Sequence, residues 1–252
     1  MSESSDDLAV VLAQQAIELP ADQVALLDRY CRLVWEWNTK LNLTRHTDYH
    51  KFVTRDLVDS LAFARFLSPG ECVLDVGTGA GVPGVVLAIV RPDLNVSLCE
   101  SVGKRARAVA DVVRQLGLAI PLHEARAEDL LAKARFQTLV IRAVARLKKL
   151  LEWFQPCWGH FDRMLVLKGP AWVDERGEAR HFGLLDKLAL RKLHAYPLAG
   201  TESESVLLQI CPKDRLGEEN VCRLSDLTGP LPRTEPKRSA PRGGPPQGRR
   251  RR

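Results

Sequence analysis

A glycine-rich loop is the feature of this 252-residue sequence that most clearly points to chemistry. It has the sequence Leu74-Asp75-Val76-Gly77-Thr78-Gly79-Ala80-Gly81-Val82-Pro83-Gly84, follows a short apolar run and leads into a helical pattern. Glycine allows tight turns and a close approach of the backbone to a ligand, and doubly wound α/β folds bind nucleotides where such a loop follows the first strand. The loop therefore predicts a nucleotide-like ligand bound against Gly77, Gly79 and Gly81.

Two classes of ligand fit these glycines. Gly79, Gly81 and Gly84 match the dinucleotide pattern G-x-G-x-x-G, and Glu100 lies 21 residues after Gly79, about where that pattern has its ribose-binding acid. Asp75, however, precedes the first glycine by two residues, and this acidic-x-Gly-x-Gly arrangement is typical of enzymes that hold the amino-acid portion of S-adenosylmethionine. A dehydrogenase of the NAD type would also need a further substrate domain, for which little chain remains. The sequence favours a methyltransferase.

Further cofactor contacts are expected after the next two predicted strands. Glu100 ends the second strand, where a carboxylate can accept hydrogen bonds from both ribose hydroxyls of a nucleoside. Ala127-Glu128-Asp129 follows the third strand and offers backbone amides and an acid where adenine would lie. An acidic pair is also an ordinary feature of a helix N-terminus, so this second signal is weaker.

The chain divides into three parts. Helical periodicity over Ala21–Leu41 and Tyr49–Leu67 predicts a helical cap over residues 1–69. The apolar runs CVLDV, VSLCE, IPLHE, TLVIR and MLVLKG then alternate with helical stretches, which predicts an α/β domain with a mostly parallel sheet over residues 70–213. Two further strand-like runs, Leu190–Tyr196 and Ser205–Cys211, predict a hairpin that closes the sheet.

The last part, residues 214–252, is predicted to be a disordered basic tail because its end is rich in Pro, Gly and Arg. Pro232–Arg252 holds eight of the 37 basic residues and one of the 31 acidic residues, so the rest of the chain carries 29 basic against 30 acidic residues. The net charge of +6 therefore belongs to the tail. A tether for RNA phosphates and a solvated extension without a specific role are both open interpretations.

Several classes of protein are not expected. No apolar run approaches the roughly 20 residues of a membrane span, and the acidic N-terminus is unlike a secretory signal, so we expect a cytoplasmic protein. The six cysteines are widely spaced without a metal-ligand pattern, which predicts reduced, mostly buried thiols and no metal site. In particular, we expect Cys72 and Cys99 to behave as small hydrophobic residues within strands.

Taken in order along the chain, the motifs resemble one family, the bacterial 16S ribosomal RNA 7-methylguanosine methyltransferases, also called RsmG or glucose-inhibited division protein B. The resemblance extends from about Tyr30 to Lys213. Besides the glycine loop, it rests on Lys40-Leu41-Asn42-Leu43-Thr44, Asp59-Ser60-Leu61, Glu100-Ser101 with Lys104-Arg105, Ile141-Arg142-Ala143 and Leu167-Lys168-Gly169. In one departure, Asp56 stands where the family usually has His.

The resemblance implies a Rossmann-like, class I S-adenosylmethionine methyltransferase that modifies N7 of a guanine in 16S ribosomal RNA or the small ribosomal subunit. It also implies cofactor contacts from Gly77, Val82, Ala127, Glu128 and Arg142, with Glu100 on the ribose.

The expected chemistry needs no general base, because N7 of guanine already carries a lone pair, so catalysis can rest on positioning and electrostatics. Arg142, at the end of the fourth predicted strand, is the candidate catalytic residue. Lys104, Arg105 and Lys168 lie at or just after strand ends and are candidates for binding RNA phosphates. A non-enzymatic RNA-binding protein that keeps the cofactor fold is the remaining alternative.

Overall fold

The strands of the protein form a single sheet in a computed structural model that describes residues 7–198 and 202–215. They are β1 (Cys72–Val76), β2 (Asn95–Glu100), β3 (Leu122–Glu124), β4 (Thr138–Arg142), β5 (Arg163–Lys168), β6 (Leu188–Pro197) and β7 (Glu204–Pro212). Their order across the sheet is β3-β2-β1-β4-β5-β7-β6. β1 to β5 are parallel, whereas β7 runs antiparallel to both β5 and β6.

This strand order creates the crevice in which doubly wound folds bind ligands. β1 pairs with β2 on one side and with β4 on the other, so the chain reverses its direction of winding between β1 and β4. The central strands are nearly continuous apolar runs because both faces of a parallel sheet are covered. The loops that follow β1, β2, β4 and β5 therefore meet at one edge of the sheet, where a topological switch point places the ligand site.

Helices cover both faces of the sheet. The helices are α1 (Leu8–Gln14), α2 (Ala21–Asn38), α3 (Tyr49–Lys51), α4 (Val58–Ala64), α5 (Gly84–Val90), α6 (Gly103–Leu116), α7 (Ala127–Leu131), α8 (Leu147–Phe154) and α9 (Trp172–His181). Val140 of β4 points into a hydrophobic cluster with α1 to α6, whereas its neighbours Leu139 and Ile141 point into a second cluster with α7 to α9. The alternation along β4 thus joins the two layers of helices through the sheet.

The N-terminal helices pack directly on the sheet domain. α2 contacts α5 and α6, and its buried residues belong to the same hydrophobic cluster as those two helices. Tyr30 on α2 donates a hydrogen bond to the carbonyl of Ala80, at 2.9 Å, and Trp37 donates one to Asp111 on α6, at 3.0 Å. The predicted cap is therefore tied to the glycine loop itself.

The structure confirms the predicted alternation of strands and helices, with differences in detail. The helix predicted over Tyr49–Leu67 contains a π-helical segment, Phe52–Leu57, between α3 and α4. The predicted hairpin is formed by β6 and β7, but β7 inserts between β5 and β6. The third predicted strand shortens to three residues, since Pro121, its second residue, lacks the amide hydrogen that continued pairing needs.

Two other expectations concern the cysteines and the tail. The expectation for Cys72 was wrong: it is exposed at the start of β1, whereas Cys99 in the middle of the sheet is buried as expected. Of the predicted tail, residues 216–252 lie outside the described residues. Within the described ranges, no helix is both long and apolar enough to cross a membrane.

Candidate functional site

The glycine loop turns sharply between β1 and α5. Gly77, Gly79 and Gly81 all have positive φ angles, of 68°, 59° and 99°, which L side chains rarely adopt. A Cβ atom on Gly77 would also lie 2.9 Å from Cγ2 of Val144, in the loop that follows β4. The absence of a side chain at Gly77 therefore lets the β1 and β4 loops approach each other closely.

Asp75 stabilises this loop through two hydrogen bonds. Its Oδ2 accepts hydrogen bonds from the Thr78 hydroxyl, at 2.6 Å, and from the Gly84 amide, at 2.8 Å. Burial raises the pKa of Asp75 to about 6, although both hydrogen bonds oppose the shift. The carboxylate is only 1% exposed. The predicted contact between Asp75 and the amino-acid portion of the cofactor thus stays a prediction, while its visible role is to fix the loop.

Glu100 bridges the glycine loop and the start of α6. Its Oε2 accepts a hydrogen bond from the Gly79 amide, at 3.0 Å, and its Oε1 accepts one from the Val102 amide, at 2.9 Å. An ionised carboxylate has about four acceptor sites, so each oxygen keeps capacity for a further donor. These two bonds fix the carboxylate at the end of β2, where the residue is 4% exposed.

A first cavity, which we call the β2–β3 cavity, lies beside Glu100 at the ends of the first three strands. Its volume is about 150 Å³, and its lining includes Gly77, Cys99, Ser101, Ala127, Glu128 and Val144. Ala127 and Glu128, which the sequence predicts to contact the ligand, are the first two residues of α7. The Glu128 carboxylate accepts a hydrogen bond from Arg126, at 3.0 Å.

A second cavity, the β4–β5 cavity, lies at the ends of β4 and β5 beneath the cap. Its volume is about 360 Å³, and its lining includes His46, Arg55, Asp59, Arg142, Val144 and Lys168. Val144 lines both cavities. A ligand in the β2–β3 cavity and a second ligand in the β4–β5 cavity would therefore meet beside Val144 and Gly77.

Arg142 connects the sheet to the cap through two carboxylates. Its Nη2 donates to Oδ1 of Asp56, at 2.5 Å, and its Nη1 lies 3.3 Å from Oδ2 of Asp59. A ring nitrogen of His46 lies 2.9 Å from the same Asp56 oxygen, and the Tyr196 hydroxyl donates to Oδ1 of Asp59, at 2.6 Å. Burial on its own lowers the pKa of Arg142, but the two carboxylates hold it above its ordinary value.

This network gives Asp56 a physical role. The residue that departs from the family pattern is buried and provides the carboxylate that fixes both Arg142 and His46. His46 and Tyr196 were not predicted to be site residues. No local signal reveals Tyr196, because its partner Asp59 lies 137 residues earlier in the chain, and His46 joins the site only through the Asp56 carboxylate that Arg142 shares. Asp59 does lie in a motif of the resemblance, but its function could not be inferred from the motif.

The three predicted RNA-binding residues lie in different environments. Lys104 and Arg105 are exposed on the first turn of α6. Lys168 is half-buried instead, with its ammonium 2.7 Å from Glu175 and 2.7 Å from the carbonyl of Ala145. Two of the three donors of this ammonium are therefore already engaged within the protein. Arg55, which the sequence analysis did not select, is half-buried in the wall of the β4–β5 cavity.

Comparison with known proteins identifies the family. Residues 23–196 match the family model described as GidB, rRNA small subunit methyltransferase G. The chain belongs to this family. A relative in the family, the ribosomal RNA small subunit methyltransferase G of Rhodopirellula baltica, is 49% identical over 79% of this chain and 86% of its own length. The protein of the same name from Desulforamulus reducens is 36% identical over 69% of this chain and 77% of its own length.

Solved structures confirm the predicted α/β, Rossmann-like fold of class I methyltransferases. One similar structure is that of M. capricolum TrmK in complex with S-adenosylhomocysteine, which is 11% identical and has a TM-score of 0.50 over 61% of this chain and 67% of its own length. This likeness concerns the fold. Membership of the rRNA small subunit methyltransferase G family, rather than the fold, is what favours a methyltransferase over a dinucleotide-binding oxidoreductase.

Proposed function

We propose that the protein transfers a methyl group from S-adenosylmethionine to N7 of a guanine in 16S ribosomal RNA. The observation that carries this proposal is the pair of cavities that meet at Val144 in a chain of the rRNA small subunit methyltransferase G family. One cavity is small and lies beside the glycine loop. The other is larger, lies beneath the cap and is lined by both charged and apolar side chains.

The residues around the β2–β3 cavity fit the proposed cofactor. Glu100 would accept the ribose hydroxyls, the start of α7 at Ala127 would contact adenine, and the backbone of Gly77 and Gly79 would carry the amino-acid portion. The Glu100 carboxylate is already oriented by two backbone amides, so little reorganisation accompanies binding. When bound, S-adenosylmethionine supplies a methyl group on a positively charged sulfur, and the electrons of the broken bond stay on that sulfur.

The β4–β5 cavity would hold the target guanine. Its volume of about 360 Å³ lies within the range of roughly 300 to 1,000 Å³ that is usual for ligand pockets. An enzyme that modifies a base inside folded RNA takes that base out of its stack into such a pocket. Arg142 lines the cavity with its guanidinium fixed by two carboxylates before any substrate arrives, which is the kind of preorganisation that favours catalysis. Its contact with cofactor or guanine is part of the proposal.

RNA phosphates would bind along the edge of the sheet that carries both cavities. We assign them to Lys104 and Arg105 on α6 and to Arg55 in the wall of the β4–β5 cavity, with a smaller role for the half-buried Lys168. Residues 1–69, 70–213 and 214–252 would act as cap, methyltransferase domain and basic tail. In this division the cap supplies Asp59 to the site and the sheet supplies Arg142. The substrate is 16S ribosomal RNA, either free or within the small ribosomal subunit.

A methyl-transfer assay with the purified protein tests the proposal. Small subunits and free 16S RNA from cells that lack the gene are incubated with S-adenosylmethionine labelled in its methyl group, and the RNA is digested to nucleosides. We expect label in 7-methylguanosine from at least one of the two substrates. Label in a different nucleoside would contradict the N7 assignment, and no transfer to either substrate would favour the non-enzymatic alternative.

A further inference from the structure

Asp59 is the acidic side chain through which the cap reaches the β4–β5 cavity. It lies at the start of α4, its side chain is 10% exposed, and it is part of the cavity wall. Asp56 is buried behind it, where its Oδ1 is shared by Arg142 and His46. Of these two carboxylates, Asp59 is therefore the one that a ligand in the cavity would contact.

The Asp59 carboxylate still has hydrogen-bonding capacity. Its Oδ1 accepts one hydrogen bond, from Tyr196, and its Oδ2 faces Nη1 of Arg142 at 3.3 Å. About two of the four acceptor sites of an ionised carboxylate therefore remain. Burial raises the pKa of Asp59 in spite of Arg142 and Tyr196, so the carboxylate is incompletely compensated by its present partners. A ligand with two donors, or with a positive charge, would complete the compensation.

Guanine has both properties when its N7 is methylated. Its ring N1–H and exocyclic N2–H₂ form a pair of donors on the Watson–Crick edge, which is the edge that enzymes read on an extruded base. When the lone pair of N7 forms the new N–CH₃ bond, no proton leaves, and the base itself becomes positively charged. An acceptor at the Watson–Crick edge therefore gains attraction for the base as the reaction proceeds, which is the condition for transition-state stabilisation.

The local charges favour this arrangement. Asp56 and Asp59 share one cation, Arg142, so these three side chains carry one excess negative charge. Two further cations line the cavity, Lys168 and Arg55. Lys168 already has its own partner in Glu175. Arg55 is near enough to oppose the rise in the pKa of Asp59, but in the complex a phosphate of the RNA would match it. A positive charge that arrives on the base then has Asp59 as its counter-charge.

We infer that Asp59 is the residue that selects guanine, by accepting hydrogen bonds from N1–H and N2–H₂ of the target base and by attracting the positive charge of the methylated ring. This inference rests on the proposed methylation of guanine. It assigns Asp59 to recognition of the substrate, whereas Asp56 positions Arg142. Adenine would be rejected, because the lone pair of its N1 would face the carboxylate.

Binding of mononucleotides separates this role from a structural one. The probes are guanosine, inosine and 7-methylguanosine 5′-monophosphates, titrated near neutral pH into protein saturated with S-adenosylhomocysteine. Inosine lacks only the N2 amino group, so it reports one hydrogen bond, and the 7-methyl compound reports the charge. We expect the wild-type protein to bind 7-methylguanosine monophosphate most tightly and inosine monophosphate about 10- to 150-fold more weakly than guanosine monophosphate, the range for a hydrogen bond to a charged group.

Two variants complete the experiment. Asp59→Asn should bring the three affinities within about threefold of one another, since a neutral amide offers only an ordinary hydrogen bond and no attraction for the charged ring. Tyr196→Phe removes a structural partner of Asp59 but leaves the carboxylate, and it should keep the wild-type order. An Asp59→Asn protein that retains the order, a wild-type protein without discrimination or one that binds none of the three would each overturn the inference. The methyl-transfer assay tests the proposed function separately. If the wild-type protein forms 7-methylguanosine but Asp59→Asn keeps the wild-type order of affinities, the inference about Asp59 fails and the proposed function stands.

Discussion

Replacement of Glu100 by Gln removes the charged acceptor that we assign to the cofactor ribose. The carboxylate accepts two backbone hydrogen bonds, at 3.0 and 2.9 Å, and is 4% exposed. The amide retains one carbonyl oxygen for one of these donors and turns an NH₂ group toward the other. One lost backbone bond should lower the free energy of unfolding by about 1–3 kcal/mol. The lost bond from a ribose hydroxyl to a charged group should weaken cofactor binding by about 1.5–3 kcal/mol, or roughly 10- to 150-fold.

Titration calorimetry with S-adenosylhomocysteine measures the second effect, and urea unfolding measures the first. Glu124 offers a matched control, because it lies opposite Glu100 in the register of β2 and β3 but is exposed. We expect Glu124→Gln to bind S-adenosylhomocysteine as the wild-type protein does. Unchanged affinity in Glu100→Gln would refute the assignment of the ribose carboxylate. An equal loss in both variants would mean that the effect is general electrostatics rather than a specific contact.

Three further predictions concern the charges around the site. Burial raises the pKa of Asp75 from 3.8 to about 6, so the folded state binds the proton of this carboxyl group more tightly than the unfolded state does. The stability that the bound proton contributes is therefore complete below the pKa of the unfolded state and is lost as pH rises through about 6. At roughly 1.4 kcal/mol per pKa unit, the wild-type protein should lose about 3 kcal/mol over that window relative to Asp75→Asn; parallel curves of unfolding free energy against pH would contradict this. Arg142→Ala should lower the free energy of unfolding by about 3–5 kcal/mol, as measured by urea unfolding, since it leaves two buried carboxylates without their cation. Asp59→Asn in the same chain should recover part of this loss. An Arg142→Ala variant of wild-type stability would disprove the structural role of Arg142. Arg55→Ala should reduce the slope of log RNA affinity against log salt by about 0.7 without weakening S-adenosylhomocysteine binding. Arg29→Ala, at an exposed position of α2, is the control and should leave the slope unchanged. Equal slopes for the wild-type protein and both variants would exclude Arg55 as a phosphate contact.

The parts of the fold that depend on local patterns could be predicted from the sequence. β4 has the predicted bounds, Thr138–Arg142, because a buried parallel strand is a continuous apolar run with polar residues at its ends. The glycine loop and Glu100 could be placed for a similar reason, since both follow the end of a strand in the sequence. The π-helical segment between α3 and α4 could not, because helical periodicity does not distinguish one extra residue in a turn.

The candidate site was predicted less completely, since its geometry depends on contacts between distant segments. Arg142 was identified, but its partner Asp56 lies 86 residues earlier in the chain. Whether Lys168 faces RNA or pairs with Glu175 depends on how α9 packs against β5, which no short pattern records. Asp75 shows the same limit. Its place before the glycines predicted a ligand contact, which stays a prediction, but did not reveal that the carboxylate is buried and supports the loop.

The proposed methylation of guanine N7 is tested most directly by a map of modified nucleosides in 16S ribosomal RNA from cells with and without this gene. We expect one 7-methylguanosine to disappear from the RNA when the gene is deleted. The wild-type gene should restore this nucleoside, and a gene encoding Glu100→Gln should restore less of it. A 7-methylguanosine content that is the same with and without the gene would show that the protein does not make this modification.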